Sequence, residues 1–342
     1  MNRDIDDEDS LEEALSRPSS YLINLFRALE GDILILGIGG KIGPSLGATA
    51  VRAAREAGAS TQVLGAARFS DRSMISRLSS WGIEPIVCDL SNEDEVNRLP
   101  KVKNVVFMAG RKFGTTGGEN TTWAMNAVVP SIVARSFRES RIVVFSTGCV
   151  YPLVSPSSGG CTEDDPAQPV GEYSFSCLAR ERIFSYYSEA NGTPCCLLRL
   201  NYAIDLRYGV LHDIAERIWN DQAVSLEVPA VNVIWQGDVN NQALAALSLC
   251  ASPPQRINVT GPETLSIRRI ALELGELLGK EVAFEGSEGD TALLSDSSRA
   301  VEMFGYPRVG VRQMMRWTAE WVARGGRSLG KPTHFEVSDG RY

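Results

Sequence analysis

Gly31-Asp-Ile-Leu-Ile-Leu-Gly-Ile-Gly-Gly-Lys-Ile-Gly43 is the stretch that decides the fold. A run of Ile and Leu bounded by glycine is the pattern of a strand buried on both faces, as in a parallel sheet. The run breaks into a glycine loop, and residues 45–57, closed by Gly58, read as a helix. Strand, glycine turn and helix together make a phosphate cradle. The turn lets backbone approach an anion, and the helix N-terminus offers N–H groups and a positive dipole end. Gly37, Gly40 and Gly43 stand at G-x-x-G-x-x-G spacing, and Gly39 gives extra room. The strand before and the helix after make the motif specific.

Outward from that loop the alternation repeats. Strand-like runs at 61–67, 82–88, 104–109, 141–146 and 193–200 are interleaved with helix-like runs ending at Ser80 and spanning 92–99, 123–139 and 172–190. This predicts an α/β fold, a Rossmann-like doubly wound parallel sheet with right-handed crossovers over 31–200. Ligands in such sheets lie beyond the carboxyl ends of the strands. Residues 1–30 read as an acidic helical extension, with a capping box at Ser10-Leu-Glu-Glu13 and a second helix at 21–29. After 200 the pattern loosens into helices at 210–220, 239–250, 266–278 and 311–324, with strands at 231–235, 256–259 and near Val282. Residues 201–228 and 260–342 read as a smaller interleaved substrate domain, with 229–259 returning to the first.

The 342 residues, 44% hydrophobic, can bury a large core. Of the net charge of −8, residues 1–13 carry −6, which leaves −2 for the rest and no electrostatic support for nucleic-acid binding. The acidic arm reads as a solubility aid or a segment packed on a neighbour. No eighteen-residue apolar run occurs and the N-terminus is acidic, so neither a membrane span nor a signal peptide is expected, and the location expected is cytoplasmic. Seven unpatterned cysteines fit a reducing compartment. The only two histidines, His212 and His334, read as surface residues. A metal site, a Ser-His-Asp triad and a Cys-His dyad are therefore not expected.

Ser146-Thr147-Gly148-Cys149-Val150-Tyr151 ends the fifth strand, and Tyr173-Ser-Phe-Ser-Cys177 opens a helix. With the glycine loop, Asp89-Leu90, Asn126, Asn258-Val-Thr-Gly-Pro-Glu263 and Ser295-Asp-Ser-Ser-Arg299, these residues resemble the extended short-chain dehydrogenase/reductase family. The likeness is to its sugar epimerase and dehydratase branch, from about Gly31 to about Arg324. It implies a nicotinamide dinucleotide held by Gly37, Gly39, Gly40, Lys41, Ile42, Gly43, Leu90, Ala109, Gly110, Asn126 and Tyr173, with Asp89 on the adenine amino group. It implies Tyr173 as general acid/base, Thr147 as its hydroxyl partner, Cys149 and Asn201 near a carbohydrate-like substrate, and a homodimer. At the end of the second strand, where an acid would bind the ribose of NAD, stand Arg68 and then Arg72, so NADP is favoured over NAD.

The chain departs from the family pattern twice. Where the family has a lysine four residues after the tyrosine, this chain has Cys177. Losing that cation should raise the pKa of Tyr173 by roughly one to a few units. Arg180 shares the helix face but lies about 10 Å along the axis. Lys41, Arg111 and Lys112, in loops at the same sheet edge, are the better substitutes. Second, Glu227-Val-Pro-Ala-Val-Asn232 lacks the glycines and the arginine with which nucleotide-sugar members hold a diphosphate. The substrate expected is a smaller sugar, sugar acid or polyol, with Arg111 and Lys112 suited to its carboxylate or phosphate. The two readings are an NAD(P)-dependent oxidoreductase, epimerase or dehydratase of carbohydrate metabolism, and a catalytically impaired dinucleotide-binding sensor or scaffold.

Overall fold

The computed structural model describes residues 5–112, 114–331, 333–337 and 340. Seven strands form one sheet: β1 (Ile33–Leu36), β2 (Val63–Ala67), β3 (Glu84–Val87), β4 (Asn104–Phe107), β5 (Arg141–Thr147), β6 (Cys195–Leu200) and β7 (Gln255–Val259). Their order is β7-β6-β5-β4-β1-β2-β3 and every pairing is parallel. This is the doubly wound sheet the sequence predicts. The strand order reverses between β1 and β4, so their carboxyl ends open the ligand crevice.

The apolar run of β1 is continuous because both faces are covered. Ile33 and Ile35 share one core with Val106, Val143 and Leu198. Leu34 and Leu36 share another with Val105, Phe107 and Val144. Removing one such side chain to alanine costs about 2–5 kcal/mol, so the cradle stands on a stiff base.

Two N-terminal helices, α1 (Glu8–Leu15) and α2 (Ser20–Ala28), precede the sheet. The capping box is one turn earlier than expected. Asp7 is the N-cap, its carboxylate accepts from the Ser10 N–H at 2.8 Å, and Ser10 answers from the N3 position. The acidic arm keeps Asp6, Asp7 and Asp9 exposed while its apolar side packs on its own chain. Its Leu11, Ala14 and Leu15 enter the core of the C-terminal unit. Its acids pair across both units of the same chain: Glu12 with Arg77 and Arg207, Glu13 with Arg52, and Asp6 with Arg324. The first four residues of the arm lie outside the described residues.

Helices α3 (Gly43–Ala57), α4 (Ser73–Ser80) and α5 (Glu93–Arg98) follow β1, β2 and β3. The single helix expected at 123–139 is three pieces: α6 (Glu119–Trp123), a π-helical turn at Ala124–Val128, and α7 (Val129–Ser136). Pro130 is the cause, because it has no N–H for the carbonyl of residue 126 and its ring crowds that carbonyl. After β5 comes the long α8 (Gly171–Asn191).

In the C-terminal unit, α9 (Val210–Trp219), α11 (Ile267–Leu278) and α12 (Val311–Ala323) surround one core with Trp235 and Phe335. Between them α10 (Gln236–Ala245) packs back on α3, and β7 pairs with β6. The helix expected at 239–250 begins earlier and finishes as a 3-10 turn at Ala246–Leu249, and the strand expected near Val282 is Phe284–Glu285. His212 is not on the surface: it is buried, with Nε2 at 3.1 Å from the Ser328 hydroxyl. Among the described residues no helix is long and apolar enough to cross a membrane.

Candidate functional site

The cradle after β1 is set by two tight positions. Gly37 has φ +92°, and a Cβ there would stand 2.7 Å from the Ala109 nitrogen, so the loop crosses against the end of β4. A Cβ on Gly43 would meet the Ile38 carbonyl oxygen at 2.2 Å, which lets α3 start directly under the turn. Gly39 and Gly40 are exposed, and a Cβ on Gly40 would meet nothing closer than 3.5 Å. Their backbone is open to a ligand. The N-cap of α3 is Ile42 and no side chain caps it, so its first N–H groups suit a pyrophosphate. The residues fit the dinucleotide the family implies.

At the end of β2, Arg68 is exposed, and its charge helps hold the Asp89 carboxyl low, behind the hydrogen bonds from Ser91. The nearest acid after the strand, Asp71, is occupied by the Ser73 N–H and hydroxyl at 2.9 and 2.6 Å. The Asp89 Oδ1 accepts from the Ser91 N–H at 3.0 Å, while Asn92 caps α5. Leu90 is buried beside it.

Asn126 sits in the π-helical turn, fully buried, and its amide is saturated. Its oxygen accepts from the Arg111 N–H at 2.9 Å and from Arg180 Nη2 at 2.7 Å. Its Nδ2 donates to the Arg111 carbonyl and the Ser176 hydroxyl, both at 2.9 Å. It therefore fixes the loop from Ala109 through Gly110 to Lys112. The Arg111 guanidinium turns back to the Gly114 carbonyl at 3.0 Å, away from the role expected of a substitute cation.

Thr147 ends β5, and its hydroxyl oxygen accepts from the Cys149 N–H at 3.2 Å. Tyr173 faces it from the first turn of α8. Both line a cleft of about 790 Å³, including its open mouth, together with Lys41, Ile42, Lys112, Cys149 and Asn201. Glycine loop, post-β4 loop, β5 end and α8 thus converge, as strand-end chemistry requires.

The electrostatics of the tyrosine are unusual. Burial raises the Tyr173 pKa well above its ordinary 10, and the Cys177 and Cys149 thiols push it the same way. Cys177 is buried, and burial raises its own pKa. The opposing charge is Arg180, which acts on both groups. Its Cα lies about 10 Å along the helix axis from that of Tyr173. Helical side chains lean toward the N-terminus, and this guanidinium reaches back to the Phe145 carbonyl at 2.8 Å and Asn126. Lys112 Nζ lies 6.0 Å from the Tyr173 ring centre, and burial lowers its pKa. Burial, with Lys112 and Lys331 nearby, brings Lys41 down to about 7.

Behind the cleft a buried chain of polar groups fixes β5, β6 and α8. Ser146 donates to Glu181 at 2.6 Å, and Arg199 grips Glu181 through two nitrogens at 3.0 and 2.7 Å. Arg199 also donates to the Tyr151 hydroxyl, which donates to Asn258 at 2.8 Å. Asn201 donates to the Leu293 carbonyl at 3.1 Å, joining β6 to the far wall.

That far wall was not foreseen. Tyr202 (φ +36°), Tyr208, Gln236, Leu293 and Thr333 line it from segments far apart in sequence. The Thr333 carbonyl accepts from Lys112 Nζ at 3.2 Å, and its N–H donates to Asp213 at 2.7 Å. Phe335 and Val337 continue along the cleft beside Tyr202, Val228 and Leu293. No local motif marks such a strap. Among the described residues no cluster of His, Cys, Asp or Glu could hold a metal ion.

The sequence model described as the NAD dependent epimerase/dehydratase family matches residues 33–204. No curated protein sequence matches the chain significantly. Among solved structures, the UDP-glucuronic acid 4-epimerase of Bacillus cereus, in complex with UDP-glucuronic acid and NAD, is 20% identical with a TM-score of 0.70; the match covers 86% of this chain and 99% of that one. The UDP-glucose 4-epimerase of Thermotoga maritima, with UDP-glucose, is 17% identical at 0.70, covering 86% and 99%. That of Thermus thermophilus, with NAD, is 19% identical at 0.69, covering 84% and 98%. At such identities the likeness concerns the fold.

Proposed function

This chain belongs to the NAD dependent epimerase/dehydratase family, and we propose that it is an NAD(P)-dependent oxidoreductase or epimerase of a small carbohydrate-like substrate. The observation that carries the reading is the convergence of Tyr173, Thr147 and two lysines on one cleft beside the glycine cradle. Gly37 to Gly43 and the α3 N-terminus would hold the pyrophosphate, and Arg68 would favour a 2′-phosphate, hence NADP. When bound, the nicotinamide supplies the hydride acceptor and donor.

The chain's own residues then have definite tasks. Tyr173 accepts the proton of the reacting hydroxyl and returns it, while Thr147 hydrogen-bonds the same oxygen. A tyrosine left neutral by burial is a weak base, so it needs a cation. Arg180 and Lys112 take the place that position 177 gives up. Asn126 holds the Arg180 guanidinium and the Lys112 loop in register, and the strap at Thr333 limits entry of water.

A small substrate is favoured over a nucleotide sugar. Where nucleotide-sugar members place glycine and arginine, this chain buries Val228 and Val231, and residues 230–231 are tied into a strand pair with Leu265–Ser266. The strap runs along the same side of the cleft. The buried, neutral Cys177 packed with Tyr173 favours the rival reading, a dinucleotide-binding sensor without turnover.

The test is reduction of bound NAD or NADP by a panel holding glucuronate, polyols and UDP-glucose, with wild type and Tyr173→Phe. Reduction by a small member in wild type alone is expected. Reduction by UDP-glucose only would overturn the substrate class, and reduction by none would leave the sensor.

A further inference from the structure

The N-terminal arm precedes residues 33–204, which the family model matches, yet its contacts reach the phosphate cradle. It is stapled to both units. Ile5, Leu11 and Leu15 pack in the core of the C-terminal unit. Leu22 and Phe26 of α2 pack instead in the core that holds Ile35 and Ile38, on either side of Gly37. Glu12 is the charged part of the staple: its carboxylate meets Arg77 of α4 and Arg207 of the C-terminal unit, each at 2.7 Å. Where α1 ends, a buried chain of polar groups leads to the first turn of α3. Asn240 of α10, fully buried, donates through Nδ2 to the Leu15 carbonyl at 3.0 Å and to the Ser45 hydroxyl at 2.9 Å. Its amide oxygen has no hydrogen-bond partner among the described residues, so those two donations are what hold it. Gln236 donates to the Ser45 hydroxyl at 3.0 Å, and that hydroxyl donates to the Ile42 carbonyl at 3.0 Å. Ile42 is the N-cap of α3, and Gln236 lines the cleft. If the arm left, a buried N–H of Asn240 would lose its acceptor, which is costly.

We propose that the arm is a clasp whose docking sets the first turn of α3, so that arm docking and dinucleotide binding strengthen each other. Asn240 and Glu12 are its positioning residues. This rests on the dinucleotide reading of the cradle and adds a coupling to a segment outside the cleft, since among the described residues no part of the arm lines it. The two states are the arm docked and the arm released. The N–H groups of α3 bind an anion well only when the turn that carries them is already ordered, and the Ser45 hydroxyl orders that turn through the Ile42 carbonyl. A ligand that fixes the turn in its place also fixes Ser45, Asn240 and the end of α1, because coupling between two sites is reciprocal.

Hydrogen exchange of the full chain tests this, read on the amides of α1 with and without NADPH or NADH, whichever binds more tightly by fluorescence titration. The saturating dinucleotide should slow exchange of those amides by about fivefold or more, the lower end of couplings between sites. Asn240→Leu keeps a similar shape and removes both donations. It should weaken the dinucleotide by about the same factor and abolish its protection of α1. Glu12→Gln loosens the staple without touching the polar chain, and should both speed α1 exchange and weaken the dinucleotide. A thermal melt of each variant reports its folding. Exchange of α1 that ignores the dinucleotide would overturn the clasp, as would faster α1 exchange with unchanged affinity in Glu12→Gln. A lower melt in Asn240→Leu with affinity kept would reduce Asn240 to a packing residue and overturn it too. If neither NADPH nor NADH binds the wild type, the dinucleotide reading falls and takes the clasp with it. Binding without coupling sinks the clasp alone.

Discussion

The glycine loop after β1 and the inner face of α8 meet at one cleft, yet they depend on their sequences differently. The loop binds through backbone, so its requirement is space. Gly37 and Gly43 are needed because a Cβ would collide with the neighbouring chain, and no side-chain chemistry is at stake. The α8 face works through side chains, and there the family's lysine is a buried cysteine. The comparison teaches that a backbone cradle tolerates no drift in its tight positions, whereas a charge can move to another element that reaches the same point. Under the proposed function, Arg180 and Lys112 would be such relocated charges.

The largest effect expected concerns the wall that holds α8 against β5 and β6. Glu181→Gln leaves Arg199 buried without its counter-charge, which should cost about 3–5 kcal/mol in denaturant unfolding. A loss below about 1 kcal/mol would show that the α8 face is not rigidly held. On the loop side, Gly37→Ala should cost about 1–3 kcal/mol from its φ and the Ala109 contact. Gly40→Ala should leave the melt unchanged and weaken only the dinucleotide. Equal effects of the two would erase the distinction between tight and open glycines.

Cys177→Lys sharpens the comparison from the α8 side. Cys177 is packed among Val150, Tyr151 and Cys161, and a lysine there would be buried near Arg180. Lower stability and no gain in turnover are expected; a gain would mean that the site is a decayed form of the family's rather than a rewired one. The smallest effect is on pH. Lys41 titrates at about 7, and only its charged form attracts an anion. Affinity for the anionic dinucleotide held by this loop should therefore be highest below pH 7 and fall above it, by at most about tenfold per unit. Lys41→Arg should remove that fall.

The sheet was legible in the sequence because both faces of β1 are buried, so its four apolar residues need no alternation. The cradle was legible because glycine is demanded there by local backbone. Arg180 was misjudged by counting rise along the axis and omitting the lean of its side chain. The break at Asn126 follows from Pro130, four residues further on, whose missing N–H and ring disturb the carbonyl of residue 126. The reach of Lys112 to the strap at Thr333 and the arm that clamps Arg207 through Glu12 arise from contacts between distant segments. No local pattern encodes those.

The proposed chemistry requires Tyr173 to be ionisable when the dinucleotide is bound, although position 177 offers no cation. Ultraviolet difference titration of wild type against Tyr173→Phe, with and without oxidised cofactor, isolates this phenol. The midpoint should lie above 10 in the cofactor-free protein and fall by about one pH unit or more when the cofactor binds, with the fall reduced in Lys112→Met. A midpoint that does not move when the cofactor binds would contradict this and leave the chain a binder of dinucleotide without acid–base chemistry.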